Sequence, residues 1–214
     1  MKDVITIDGP SGSGKGTISK LLARKLGYNY LDTGALYRAV AWKVRKEKTD
    51  TTDETALKKM LGKTRIHLDG DRIFVDGRDV SSEIRTAEIG ELSSQVSAVP
   101  AVRSALFSLQ RDMGLQGKVV IEGRDTGTVI FPEAENKFFL DAGVEERARR
   151  RYQDLKAKDP DITLEKTVED IKKRDARDSS RESAPLMKTD DMIYIDSTNL
   201  SIEEVVAKIA AYIK

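Results

Sequence analysis

Cysteine is absent from the 214 residues, and its absence excludes a disulfide framework, a thiol nucleophile and a thiolate metal site. Histidine occurs once, at His67, too few for Ser-His-Asp chemistry or a histidine-clustered zinc centre. His67 lies in the strand-like "TRIHLDG", where a structural role is expected. No apolar run approaches the roughly 18 residues of a membrane span. The opening "MKDVITIDG" enters a strand at once and has no signal-peptide apolar segment, so a cytoplasmic chain is expected. A charge excess is missing too: 37 Lys and Arg face 36 Asp and Glu, which argues against a dedicated nucleic-acid binder. The length allows one domain, with or without an insertion, and a sizeable core.

A hydroxyl is also missing where one is usual. "GPSGSGKGT", Gly9 to Thr17, follows the phosphate-loop pattern G-x-x-x-x-G-K, but Gly16 stands where Ser or Thr normally touches magnesium, and Thr17 comes one place late. A strand precedes this loop and a helical pattern follows it. Backbone N–H groups from Ser11 to Gly16 and the helix N-terminus can therefore face a phosphate, with Lys15 reaching the β- and γ-phosphates. Switch-type GTPases use the hydroxyl that is lacking, and their N-K-x-D guanine reader is lacking as well. The spelling G-x-x-G-x-G-K-G-T resembles nucleoside monophosphate kinases instead. That likeness implies magnesium held largely by phosphate oxygens and waters, with Thr17 bonding a phosphate or a metal-bound water and no protein group certain as a direct ligand.

Five short apolar runs, "VITIDG", "YNYLDTG", "KVVIEGRD", "KFFLDA" and "MIYIDS", read as buried strands alternating with helical patterns. The predicted fold is α/β, a five-stranded parallel sheet flanked by helices, with ligands at the carboxyl ends of the strands. "TRIHLDGDRIFVDGRDV", Thr64 to Val80, carries two Asp-Gly pairs and predicts a three-stranded antiparallel meander, with helical stretches from about Ser82 to Gly114. The stretch from Glu145 to Glu182 is the most densely charged, its signs nearly balanced, and predicts a solvated pair of helices. Within it Arg147, Arg149, Arg150 and Arg151 crowd together. Trp42, alone on an amphipathic helix, is expected in the core.

Phosphoryl transfer demands positive charge from several directions, and arginines occur in separate clusters around Arg38, Arg103, Arg124 and Arg174–Arg181. The segments "IDGPSGSGKGT", "LDTGALYR", "SSQVSAVPAVR", "EGRDTGTVIFP" and "RDARDSSRESAPL" follow one another in order. Together they resemble the bacterial-type cytidylate kinases, over essentially the whole chain. The resemblance implies one kinase domain spanning 1–214, with a core of 1–60, 100–146 and 170–214. It also implies a monophosphate-binding insertion at about 61–99 and an Arg-rich helical lid at about 147–169, both closing over the nucleotides.

The implied reaction is transfer of the ATP γ-phosphate to CMP, and dCMP, with Mg2+. Gly9, Pro10, Ser11, Gly12, Ser13, Gly14, Lys15, Gly16 and Thr17 would bind ATP, joined by Arg147 and Arg151 from one face of the lid helix. In the resemblance Thr33 and Asp125 serve the cytosine amine, and Arg103 and Arg181 its acceptor side. Ser94, Arg174 and Asp178 hold the sugar hydroxyls, and Arg38 and Arg124 the α-phosphate. Catalysis would rest on charge neutralisation by Lys15, Arg38, Arg124 and Arg174. Thr33 stands where many members have serine. Read by itself, Asp125 also fits a turn after a strand, and Arg174 with Asp178 an ordinary surface pair. The alternatives are a kinase for UMP, AMP or shikimate, or a regulatory P-loop NTPase. Partners are expected to be these small substrates alone, with no nucleic acid, no membrane and a monomeric chain.

Overall fold

The computed structural model describes residues 1–156 and 160–214. In chain order the elements begin with β1 (Val4–Asp8), α1 (Lys15–Leu26), β2 (Asn29–Asp32), α2 (Thr33–Glu47) and α3 (Glu54–Leu61). There follow β3 (Ile66–Asp69), β4 (Arg72–Val75), β5 (Arg78–Asp79), a 3-10 turn at Glu83–Arg85, α4 (Ala87–Val96) and α5 (Pro100–Leu115). The last part holds β6 (Val119–Gly123), one π-helical turn at Thr126–Ile130, β7 (Asn136–Asp141), α6 (Val144–Lys156), α7 (Leu164–Ser180), β8 (Ile193–Asp196) and α8 (Ile202–Tyr212). Residues 157–159 of the expected lid lie outside the described residues. No helix among the described residues is long and apolar enough to cross a membrane.

The contacts divide the chain into two units, Met1–Leu31 with Gln116–Lys214, and Asp32–Leu115. The second is wider than the insertion expected at 61–99, because α2 and α5 pack with the helices on either side of the meander rather than standing apart from them.

In the larger unit the strand order is β2-β6-β1-β7-β8. β1 pairs in parallel with both β6 and β7, with Asp8 level with Gly123 on one side and Phe139 on the other. All five residues of β1 are buried, as expected of a strand covered on both faces and hydrogen-bonded along both edges. α1 covers the sheet with Ile18 and Leu22, one helical turn apart, and α8 does so with Val205 and Ile209. These meet Ile5, Ile7, Phe138, Leu140 and Ile195 in one apolar cluster. α1 stops at Gly27, whose left-handed backbone (φ 68°) lets the N–H of Tyr28 return to the Ala23 carbonyl at 2.8 Å. α8 starts on a capping box, in which the Ser201 Oγ accepts the Glu204 N–H and the Glu204 carboxylate accepts the Ser201 N–H.

In the smaller unit β3, β4 and β5 form the expected antiparallel meander. The second Asp-Gly pair makes the tight turn: Asp76 and Gly77 both have positive φ, as a two-residue hairpin turn requires. Around it α2 buries Leu36, Val40, Trp42 and Val44, α4 buries Ile89 and Val96, and α5 buries Val102 and Leu106. Trp42 is a core residue, as expected, and its indole N–H donates to Glu83 at 3.0 Å. His67 is exposed on β3, its ring 6.2 Å from that of Phe74.

Because the Ser201 cap ties down the first turn of a helix that completes the core, Ser201→Ala is expected to cost about 1 kcal/mol of stability. Urea denaturation should show the midpoint falling with an unchanged slope.

Candidate active site

The loop Gly9–Gly14 leaves the carboxyl end of β1 and leads straight into α1. Lys15 is buried, and its ammonium donates to the Pro10 carbonyl at 2.7 Å and the Ser13 hydroxyl at 3.3 Å, so the side chain folds back along the loop. Burial, reinforced by the charge of Arg124, pushes this ammonium below its ordinary pKa, while Glu122 and Asp8 oppose the shift. An anion seated in the loop would reverse it, so the arrangement favours a phosphate ligand. Thr17 is exposed in the first turn of α1.

The loop touches its surroundings closely. Gly12 has φ +78°, and a Cβ there would lie 2.9 Å from the Arg147 carbonyl oxygen, so the start of α6 rests against the loop backbone. Arg147 is buried. Its Nε donates to the Ala142 carbonyl at 2.8 Å and its Nη1 to the Ser11 carbonyl at 2.9 Å and to the Asp175 carboxylate. Asp175 in turn accepts the Ser11 N–H at 3.2 Å. Arg150 is half-buried, donating to Glu146 and to the hydroxyl and carbonyl of Ser197. Arg149 is exposed and forks onto Glu146 with two bonds of 2.8 Å. Arg151 is half-buried on the same helix.

At Gly16 the missing hydroxyl has a structural counterpart. A Cβ on this residue would come within 3.1 Å of the Glu122 carboxylate and 3.7 Å of the Tyr30 hydroxyl, and that hydroxyl donates to Glu122 at 2.8 Å. A carboxylate on the strand next to β1 therefore stands beside the position usually filled by Ser or Thr. Among the described residues no three acidic or histidine side chains gather as a metal cluster.

Beyond β6 the larger unit brings together five of the residues singled out in the sequence: Arg124, Asp125, Arg174, Asp178 and Arg181. Arg124 Nε donates to Asp178 at 2.8 Å, and Arg174 Nε lies 3.9 Å from the same carboxylate. Burial works to raise the Asp178 pKa, but the charges of Arg124 and Arg174 outweigh it and hold the carboxyl below its ordinary value. Asp125 and Arg181 are both buried, Nη2 to Oδ1 3.6 Å, and Arg181 Nε also donates to the Ala184 carbonyl at 2.7 Å. This is no solvated surface pair: two arginines and an aspartate are held in a low-dielectric setting by opposite charge and defined geometry.

In the smaller unit Arg38 Nη1 donates to the Ile84 carbonyl at 2.9 Å, and the Arg103 guanidinium lies 5.6 Å from the centre of the Tyr37 ring while donating to the Ser97 carbonyl. Thr33 is buried at the start of α2, where Asp32 caps the helix through the Ala35 N–H and pairs with Arg85. Ser94 is buried, and among the described residues its hydroxyl has no hydrogen-bond partner, a group suited to a ligand hydroxyl.

Sequence reasoning passed over Asp8, Tyr30, Glu122 and Asp175. Glu122 carried a readable signal, an acidic residue closing the apolar run "VVI" on a strand beside the loop strand. Asp175 and Asp8 act through contacts more than a hundred residues away in sequence, which no local pattern announces.

A family model described as cytidylate kinase matches residues 5–214. The chain belongs to the cytidylate kinase family. A cytidylate kinase of Caldanaerobacter subterraneus subsp. tengcongensis is 48% identical over 205 residues, covering 96% of this chain and 92% of the relative. One from Geobacter sp. (strain M21) is 50% identical over 206 residues, covering 94% and 88%. An uncharacterized protein of Eubacterium ventriosum shares the fold, with a TM-score of 0.57 at 14% identity over 98% of this chain and 97% of that one. Family membership agrees with the sequence resemblance and makes the chain a kinase.

For this cytidylate kinase family member, Gly12→Ala combines a left-handed backbone with a backbone clash against α6. A loss of about 2 kcal/mol in chemical denaturation is expected, together with weakened ATP binding by calorimetry.

Proposed function

We propose that the chain phosphorylates CMP, and dCMP, at the expense of ATP. The observation that carries this reading is the buried Asp125–Arg181 pair beside Arg124, Arg174 and Asp178, in the same unit as the phosphate loop. Cytosine presents an amine donor and, beside it, ring acceptors, so a reader needs a carboxylate and an arginine together. Uracil would turn its O4 acceptor toward Asp125, leaving a buried carboxylate without a donor.

Each residue's part is the one the family resemblance implies, and its chemistry suits that part. Asp125 accepts from the cytosine amine, and Arg181 donates to the acceptor edge. Arg124, anchored on Asp178, grips the α-phosphate, and Arg174 with Asp178 takes the sugar hydroxyls. Within the smaller unit Thr33 and Arg103 are assigned to the base, Ser94 to the sugar and Arg38 to the α-phosphate. The backbone N–H groups of the loop and Lys15 hold the ATP phosphates. Arg151 reaches donor phosphates, while Arg147 serves ATP by holding the loop and α6 together, since its guanidinium is committed to Ser11, Ala142 and Asp175.

No strong base is required, because the acceptor is already a phosphate oxygen. The residues work by alignment and by spreading positive charge around the transferring group. Mg2+, when bound with ATP, neutralises charge on the β- and γ-phosphates, and Glu122 with Thr17 would hold its water shell.

A coupled ADP-release assay with Mg-ATP against CMP, dCMP, UMP, AMP, dTMP and shikimate, with an acceptor-free control, tests this reading. Turnover should be confined largely to CMP and dCMP. Turnover independent of acceptor would instead favour a regulatory NTPase. Asp125→Ala should lower kcat/KM for CMP by roughly a hundredfold or more while the ATP dissociation constant changes by less than about threefold. Equal losses on both would remove Asp125 from base recognition.

A further inference from the structure

Asp8 closes β1 and immediately precedes the phosphate loop, yet its side chain reaches to the turn after β6. It is fully buried. One carboxylate oxygen accepts the Thr126 N–H at 2.9 Å and the Thr126 hydroxyl at 2.8 Å, and the other accepts the Gly127 N–H at 2.8 Å. These are the first two amides after Asp125. The turn they open is a single π turn, in which the N–H groups of Val129 and Ile130 both return to the Asp125 carbonyl, at 2.9 and 3.2 Å. Gly127 is pressed onto β1, since a Cβ there would lie 2.7 Å from the Thr6 hydroxyl and 3.4 Å from Asp8 itself.

A π turn contains one residue more than the α-helical spacing and forms seldom without a local cause. Asp8 supplies that cause. Two consecutive amides and a hydroxyl converge on a single anion, the same concave donor arrangement that elsewhere binds phosphate. With the amides of residues 126 and 127 pinned and the carbonyl of Asp125 engaged twice, the backbone leaving the Asp125 Cα on its C-terminal side is fixed. The Asp125 side chain is thereby aimed at Arg181. Burial above all, and the like charge of Asp125 after it, raise the Asp8 pKa, while the bonds donated by Gly127 and Thr126 oppose that rise.

We propose that Asp8 is a positioning residue for base selection: by clamping Thr126 and Gly127 it sets the direction of Asp125, so that discrimination of cytosine from uracil depends on a side chain of the phosphate-loop strand. This rests on the reading of Asp125 as the cytosine-amine reader. It goes beyond that reading by placing the control of specificity on a residue that touches neither nucleotide.

The test compares kcat/KM for CMP and UMP, and KM for ATP, in wild type, Asp8→Asn, Thr126→Val and Asp125→Asn, with thermal melts to establish folding. Asp8→Asn turns an amide NH2 toward a backbone N–H and so breaks the clamp without changing side-chain size. Its CMP to UMP ratio should fall by roughly tenfold or more, mainly through a raised KM for CMP. Thr126→Val removes one of the three bonds and should move the ratio the same way by roughly threefold. A folded Asp8→Asn variant that slows CMP and UMP equally, while Asp125→Asn collapses the ratio, would overturn the proposal and leave the Asp125 reading intact. A ratio unmoved by Asp125→Asn would overturn both. If Asp8→Asn does not fold, an unchanged ratio in Thr126→Val is the overturning result.

Discussion

The larger unit depends on β1 being hydrogen-bonded on both edges. A strand of five buried residues with β6 on one side and β7 on the other cannot shift register without moving every apolar side chain in it to the wrong face. That fixed register delivers the ends of β1 and β6 to the same level, the phosphate loop after Asp8 beside the Arg124–Asp125 turn after Gly123, with β7 running two residues further before α6. The helices make this possible from outside. Ile18, Leu22, Val205 and Ile209 cover the sheet in one apolar cluster, and the left-handed Gly27 and the Ser201 box set where those helices end and begin.

Upon this frame the difficulty is electrostatic. A kinase site for phosphorylated nucleotides must keep several cations close together, and in a low-dielectric interior such a group repels itself. Four of them are met by an oxygen: Arg124 by Asp178, Arg181 by Asp125 and the Ala184 carbonyl, Arg147 by Asp175, Lys15 by the Pro10 carbonyl. The carboxylates do two things at once. They neutralise the arginines, and they hold each guanidinium in one orientation, which lowers the ordering cost when an anion arrives.

Much of this was legible beforehand. The five apolar runs became the five strands, the two Asp-Gly pairs became the meander, and the isolated Trp42 became core, because period and turn chemistry are local properties. The short α3 was not read from the sequence, although Asp53 as cap and the Leu57–Met60 spacing are both visible there. The charge density of residues 145–182 predicts a solvated pair of helices without deep burial. α6 and α7 are indeed mostly exposed, yet they bury Arg147, Thr167, Ile171 and Asp178, and the arginine does so because three oxygens, those of Ser11 and Asp175 distant in sequence, receive its guanidinium. A lone motif names which side chains carry charge. It does not say which of four neighbouring arginines will be consumed by the scaffold, since that is decided by carbonyls of the loop and of the segment after β7.

The threonine that comes one place late finds its physical account in the same geometry. In this loop the space next to Gly16 already belongs to the Glu122 carboxylate, steadied by the Tyr30 hydroxyl. A side chain there would place its Cβ 3.1 Å from that oxygen, so the carboxylate would have to yield by a few tenths of an ångström. Glycine at 16 and glutamate at 122 thus fit one another closely. The loop lacks a hydroxyl at residue 16 and has a carboxylate one strand away in its place. The late Thr17, exposed on the first turn of α1, is left free of the crowding that would have fixed a hydroxyl one residue earlier.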